Sequence, residues 1–277
     1  VTKYIWENTD MSHELYQTLH NAHTFALYCG QYEIGFDKEW INLNLHSKHV
    51  RNFRKTTARN RVVYDIFGTK TGRFTTKRSS FPILTLGKDL RRAIVPKNGA
   101  FAVFDYNAAE ARVMLGLSGH DQPQHDLHSY HASLTSTDRE GAKRNFFSWL
   151  YDAEKDNPVY DSRYSRTDLI DRYYSDSSVS TPYGRVMGVE RSKSLSYLLQ
   201  STTNDMAIER FGKVAEFLSD KKSLISFSIH DSLVLDFDPE ESSCVSKIIE
   251  ILESTRFGIM PCSVQLGKNL KDLRQIK

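Results

Sequence analysis

Two aspartates close runs of residues that otherwise read as buried strands. Asp105 follows Phe101-Ala102-Val103-Phe104, and Asp231 follows Leu224-Ile225-Ser226-Phe227-Ser228-Ile229-His230. Aromatic and β-branched residues favour extended backbone, which would hold each carboxylate on a rigid sheet instead of a mobile loop. Carboxylates on neighbouring strands repel unless cations lie between them. A pair of divalent ions is the natural occupant, and such a pair serves phosphoryl transfer. Taken alone, the two aspartates suit a nuclease or a phosphatase equally well.

A second chemical signal is a stripe. Arg139, Lys143, Phe147 and Tyr151 stand four residues apart, so on a helix each lies about 40° around from the last. Two cations and then two rings would form one continuous face. Such cations can hold a triphosphate, and the rings can contact a sugar and a base. An amphipathic helix with core aromatics and snorkelling cations has the same spacing. Periodicity alone leaves both readings open.

The elements that must position these groups read as mixed α and β. Leu15, Leu19, Ala22, Ala26 and Cys29 predict an amphipathic first helix. The stretch from 60 to 95 is irregular, with Gly68, Gly72, Pro82 and Gly87. The Asp105 strand should pass into a helix from Ala108 to Leu117. Thr137-Asp138-Arg139-Glu140 has capping-box form and predicts a helix through Tyr151. The segment from Asp152 to Ser180 is polar, tyrosine-rich and ambiguous; Tyr160, Tyr164, Tyr173 and Tyr174 suit packing or stacking on nucleic acid. A long helix over Ser192 to Leu218 follows, then a hairpin with His230-Asp231 near its tip. Asp236 and Asp238 on that hairpin are expected to face solvent. A helix over Val245 to Leu252 and a strand around Ser263 to Leu266 complete the chain. The fold class expected is α+β on a largely antiparallel sheet.

With 277 residues the chain can build a substantial core. Its net charge of +3 is modest, but the charge is unevenly placed. Arg51, Arg54, Lys55, Arg59, Arg61, Lys70, Arg73, Lys77, Arg78, Lys88, Arg91 and Arg92 crowd one stretch, with Phe53, Tyr64, Phe67, Phe74 and Phe81 interleaved. That pattern fits a groove following a phosphate backbone, and also a solvated face. Cys29, Cys244 and Cys262 have no metal-type spacing and fit free thiols in a reducing compartment. Neither a membrane span nor a signal peptide is visible, which gives the expectation of a cytoplasmic protein. The start at Val1 suggests a portion of a longer product.

Seven short segments carry a resemblance. Asp105-Tyr106-Asn107-Ala108-Ala109-Glu110-Ala111-Arg112 resembles the first polymerase motif of family-A DNA polymerases, the bacterial polymerase I type. The Arg139-x3-Lys143-x3-Phe147-x3-Tyr151 stripe is similar to that family's nucleotide-binding finger helix, and Ile229-His230-Asp231 to its third motif. Thr71-Gly72-Arg73, Asp126-Leu127-His128-Ser129, Gln200-Ser201-Thr202-Thr203-Asn204-Asp205 and Gly267-Lys268-Asn269 fall in family order. The resemblance covers roughly residues 60 to 277. It is that of the polymerase core of a shortened member, a phage-type one being an option.

The resemblance implies a right-hand fold: an antiparallel palm sheet, helical fingers and a reduced or absent thumb. It divides the chain into an N-terminal helical segment at 1–60 (thumb remnant or docking region), palm at 61–120, reduced fingers at 121–190 and palm again at 191–277. It implies templated addition of deoxynucleotides to a primer 3′-hydroxyl. Asp105 and Asp231, helped by the Tyr106 carbonyl, would hold two Mg²⁺ ions, with Mn²⁺ able to substitute. Arg139 and His128 would contact the triphosphate, and Lys143 would act as the general acid. Phe147 would pack beside the sugar and Tyr151 beside the templating site. Glu110 would exclude a 2′-hydroxyl and pair with Tyr151. Arg73 and Gln200 would read the minor groove, His230 would sit near the primer terminus, and Arg112 would contact DNA.

Departures from the family pattern are Ser148 and Asp152 in place of glycines, Ser232 in place of a glutamate, and Ser196 in place of an asparagine. The partners implied are primer-template DNA and dNTPs, with a separate subunit supplying thumb, exonuclease or processivity functions as a further option, and no membrane. The setting implied is the nucleoid of a bacterial or phage-infected cell. A single-subunit phage-type RNA polymerase and a catalytically silent replisome scaffold are the competing readings. Glu110 argues against the first, and the intact Asp105, Asp231, Arg139 and Lys143 against the second.

Overall fold

The computed structural model describes residues 12–152 and 154–277; the first eleven residues of the expected N-terminal segment lie outside these. Five strands form the main sheet: β1 (Ala100–Tyr106), β2 (Leu224–Ile229), β3 (Ser232–Phe237), β4 (Cys262–Gly267) and β5 (Arg274–Gln275). Their order is β5-β4-β1-β3-β2, antiparallel throughout. Period-two alternation buries Ala102, Phe104 and Tyr106 on one face of β1 and turns Val103 and Asp105 the other way. The register sets Ser232 of β3 and Ser263 of β4 opposite Asp105. Small hydroxyl side chains therefore flank that carboxylate on both sides.

The helices are α1 (Glu14–Gln31), α2 (Lys38–Leu43), α3 (Lys48–Thr56), α4 (Ala109–Leu117), α5 (Leu127–Thr135), α6 (Arg139–Tyr151), α7 (Pro158–Tyr164), α8 (Arg166–Tyr173), α9 (Arg191–Phe217) and α10 (Cys244–Glu253). α1 and α10 lie against the sheet, and the Tyr106 hydroxyl donates to the Leu252 carbonyl of α10 at 2.7 Å. The 27 residues of α9 span about 40 Å. α9 packs on α1, α4 and α10 and also on α6 and α8. One apolar cluster runs from Ala22 to Leu270 through both the sheet and the α5–α8 region.

The ambiguous segment resolves into α7, α8 and a small three-stranded sheet of Tyr174–Ser175, Ser178–Ser180 and Val186–Gly188. Tyr160 and Tyr164 are fully buried among His131, Phe146 and Trp149, so they pack the interior and offer no ring to nucleic acid. α6 is capped by Asp138, whose side chain accepts the Gly141 N–H at 2.7 Å, and not by Thr137. Glu140 turns instead to Arg139.

Asp236 corrects another expectation, because it is completely buried. Its carboxylate accepts the Tyr32 hydroxyl at 2.9 Å and the N–H groups of Lys97 at 2.9 Å and Asn98 at 2.8 Å. It shares a sheet face with Ser232, but the chain around Lys97 closes over this end of the strand. Asp238 is half-buried and accepts the Glu240 N–H at 2.9 Å. Replacing Asp236 with Ala leaves three donors without their acceptor and should cost about 3 kcal/mol. A urea midpoint unchanged by Asp236→Ala would refute that account.

Candidate active site

The strand end carrying Asp105 and the turn carrying Asp231 adjoin, because Ser232 pairs with Asp105 and Asp231 precedes it. The hairpin loop is only His230 and Asp231, and His230 takes φ +56. Ala108, three residues beyond Asp105, takes φ +52. Left-handed backbone costs a residue with a side chain about 1–2 kcal/mol. Strain of this kind concentrates where geometry is imposed for function.

Asp105 and Asp231 open into a cleft of about 660 Å³. Tyr106, Glu110, His128, Arg139, Lys143, Phe147, Tyr151, Arg73 and His230 line the same cleft. The four stripe residues of α6 thus share one cavity with the two aspartates. The Phe147 and Tyr151 rings stack, with centroids 6.0 Å apart and planes 7° from parallel. Lys143 has no ion pair among the described residues, whereas Arg139 is bound by Asp126 and Glu140. Three cations face four carboxylates across the cleft.

Burial pushes the Asp231 carboxyl up to about 6, and the charge of Asp105 adds to the rise. Asp105 itself accepts the Ser232 hydroxyl. Among the described residues neither aspartate forms a direct ion pair, although the Arg73 charge acts on Asp231 in the opposite direction to Asp105. Among the described residues no group of three or more His, Cys, Asp or Glu could enclose a metal ion. Two carboxylates nevertheless suit Mg²⁺, which is commonly held by one or two carboxylates, substrate phosphates and water. The donor set fits.

Glu110 in the first turn of α4 accepts hydrogen bonds from both Arg73 and the Tyr151 hydroxyl. Burial, with the Glu110 charge adding, raises the Tyr151 hydroxyl further above its usual range, so it stays protonated and donates. Gln200 of α9 is a second hydrogen-bonding neighbour of that hydroxyl. Arg73 is positioned by the turn before it. Gly72 has φ +76, and a Cβ there would meet the Arg185 guanidinium at 2.6 Å. Arg185 is locked on Asp205 at 2.6 Å, and Asn204 donates to the Gly72 carbonyl at 3.0 Å.

His128 is buried, which lowers its imidazole to about 4, with Lys143 and Arg139 contributing and Asp126 opposing. It is neutral at pH 7 and can act as a donor but not as a charge. Arg112 is the one predicted DNA contact that the structure removes. It is 0 % exposed, and its guanidinium donates to the carbonyls of Asn107 (2.8 Å), Pro123 (2.7 Å) and His125 (2.7 Å). Those bonds brace the loop beyond Asp105 and leave nothing for a phosphate. Sequence reasoning also missed Asp126 as the partner of Arg139 and Asn107 as the donor that holds Asp126; the signal was the capping aspartate directly before Leu127.

No protein-family model matches the sequence, and no curated protein matches it. The fold is an α+β polymerase fold, built on an antiparallel sheet with packed helices. Among solved structures it is similar to the POL domain of Pol1 from M. smegmatis in complex with DNA primer-template and dNTP. The TM-score is 0.62 at 17% identity, over 80% of this chain and 52% of that one. The chain spans about half the length of that structure. No described helix is long and apolar enough to cross a membrane.

Proposed function

We propose that the chain is a template-directed DNA polymerase core that adds deoxynucleotides to a primer 3′-hydroxyl. The observation that carries this reading is the shared cleft of the two aspartates and the Arg139–Tyr151 stripe. A nuclease or a phosphatase needs the carboxylates but not a cation-and-ring helix facing them. The polymerase fold supports the same conclusion.

Asp105 and Asp231 would hold divalent ions, Mg²⁺ being the ion their oxygen donors suit. Such ions acidify a bound hydroxyl and neutralise charge on transferring phosphate. Lys143 Nζ binds the phosphate tail and gives its proton to the departing pyrophosphate. His128 donates a neutral hydrogen bond to the same tail. Phe147 presents its face to the sugar, and Glu110 fills the space beneath the 2′ position. Arg73 and Gln200 approach the minor-groove acceptors that all base pairs share.

The test is primer extension on a primed template with Mg²⁺. Extension that a chelator and Asp105→Ala both abolish is the expected result; no extension by the intact chain, or extension that survives Asp105→Ala, overturns the proposal. Phe147 adds a specificity prediction. A tyrosine there would place a hydroxyl where a dideoxynucleotide lacks its own. Phe147→Tyr should therefore raise chain-terminator use at least roughly tenfold relative to dNTP. Chain-termination ladders compare the two proteins directly, and equal ladders would remove Phe147 from the sugar contact.

A further inference from the structure

Two carboxylates hold Arg139, and they hold it differently. Asp126 takes the guanidinium as a fork, with Nε on Oδ1 and Nη2 on Oδ2, both at 3.0 Å. Glu140 takes the remaining nitrogen, Nη1, at 2.7 Å. Asp126 is itself fixed in place. It caps α5 by accepting the Ser129 N–H at 2.7 Å, and it accepts Asn107 Nδ2 at 2.7 Å. Asn107 lies two residues beyond Asp105, and its N–H is bound to the Pro261 carbonyl at 3.0 Å. A fixed polar path thus runs from the aspartate strand through Asn107 and Asp126 to the finger-helix guanidinium.

Glu140 has no comparable support. Its side chain is 60% exposed, and exposed ion pairs contribute little. A bidentate, charge-assisted fork is the stronger contact. An arriving phosphate meets these two competitors for one guanidinium, and the exposed one yields first.

We propose that Asp126 is a positioning residue for the nucleotide: it keeps its fork on Arg139 and aims Nη1 at the triphosphate, while Glu140 is a competitor that the phosphate displaces. This rests on the polymerase reading above. Asp126 touches no reacting atom; it acts through Arg139.

The two carboxylates separate this idea from plain electrostatics. Asp126→Asn and Glu140→Gln each remove one negative charge beside the same guanidinium. If only charge matters, both variants bind a nucleotide triphosphate more tightly. Under the proposal the signs are opposite. Asp126→Asn should weaken Mg·dATP binding about tenfold, the loss falling on KM more than on kcat. Glu140→Gln should tighten it about twofold to threefold, as expected for a surface pair. Asparagine caps a helix as well as aspartate does, so α5 keeps its start.

The measurement is the Kd of Mg·dATP by titration calorimetry, on protein bound to a primer-template with a dideoxy 3′ end so that no turnover occurs. In an Arg139→Ala background, Asp126→Asn should then have no further effect. Opposite signs together with that coupling support the proposal. Tightening by both variants, or an Asp126→Asn effect that persists without Arg139, overturns it and leaves the polymerase reading standing. Absence of nucleotide binding by the intact chain overturns both.

Discussion

Asp231→Asn is expected to cut primer extension by at least about a thousandfold while making the metal-free protein more stable at pH 7.5. The activity loss follows if Asp231 is one of two carboxylates holding ions that supply several kcal/mol of charge stabilisation. The stability gain follows from the raised Asp231 carboxyl. Its folded value of about 6 lies above the ordinary aspartate value of 3.8, so the fold favours the protonated form. A raised folded value means stability that is present at low pH and lost as pH rises through about 6. At pH 7.5 the wild type carries that whole cost, of order 2 kcal/mol for a partly buried group. The neutral asparagine does not.

Melting wild type and variant side by side in EDTA isolates this effect from the other carboxylates. The variant should melt higher at pH 7.5, and the gap should close as pH falls from 7 towards 4. Mg²⁺ should raise the wild-type midpoint and leave the variant nearly unmoved. A variant less stable than wild type at pH 7.5 without metal would mean that Asp231 is held by partners and not repelled by Asp105.

Glu110→Ala should reduce discrimination against ribonucleotides by about a hundredfold. Glu110 is anchored by two donors, Arg73 and Tyr151, from different parts of the chain. Its side chain is only 14% exposed, so it cannot swing aside to admit a hydroxyl. The alanine variant removes the obstruction and also leaves both donors without their acceptor. Deoxynucleotide addition should therefore slow as well, by about tenfold. Glu110→Gln separates shape from charge, since it keeps the bulk and loses the anion. If bulk excludes the ribose, the Gln variant keeps most of the selectivity. The kcat/KM ratio for dCTP against rCTP in single-nucleotide extension reads each case, and an unchanged ratio in Glu110→Ala would sink the assignment.

Parts of this structure were legible because their residues repeat. The apolar runs before Asp105 and Asp231 marked strands, and the fourfold spacing from Arg139 to Tyr151 marked a helix face. Both patterns survive into the fold because the partner surface of each is continuous. The chain from Asp152 to Ser180 has no such period. Its order comes from Tyr160 and Tyr164 burying their rings, with the Tyr164 hydroxyl meeting His131. Tyrosines among polar residues suit packing and stacking on nucleic acid alike, so the local pattern does not choose between them.

Buried charge was illegible for a different reason. Arg112 and Asp236 look like surface residues until their partners arrive from elsewhere: carbonyls at Pro123 and His125 for one, Tyr32 and the Lys97–Asn98 backbone for the other. A desolvated ion is tolerable only when such partners are already in place. The information that places it is therefore distributed along the chain and not held in the local pattern. Asp126 belongs to the same class, since its two most telling contacts, Asn107 and Arg139, come from separate elements.

The long helix α9 has a thermal consequence. It packs on α6 and α8 in the helical region and on α1 and α10 beside the sheet, and the apolar cluster passes without a break between these regions. The two regions share one continuous apolar interior. Melting should accordingly be cooperative across both, with calorimetric and van't Hoff enthalpies that agree. The sheet and the helical region are distinct as anatomy, but heat should meet them as one unit.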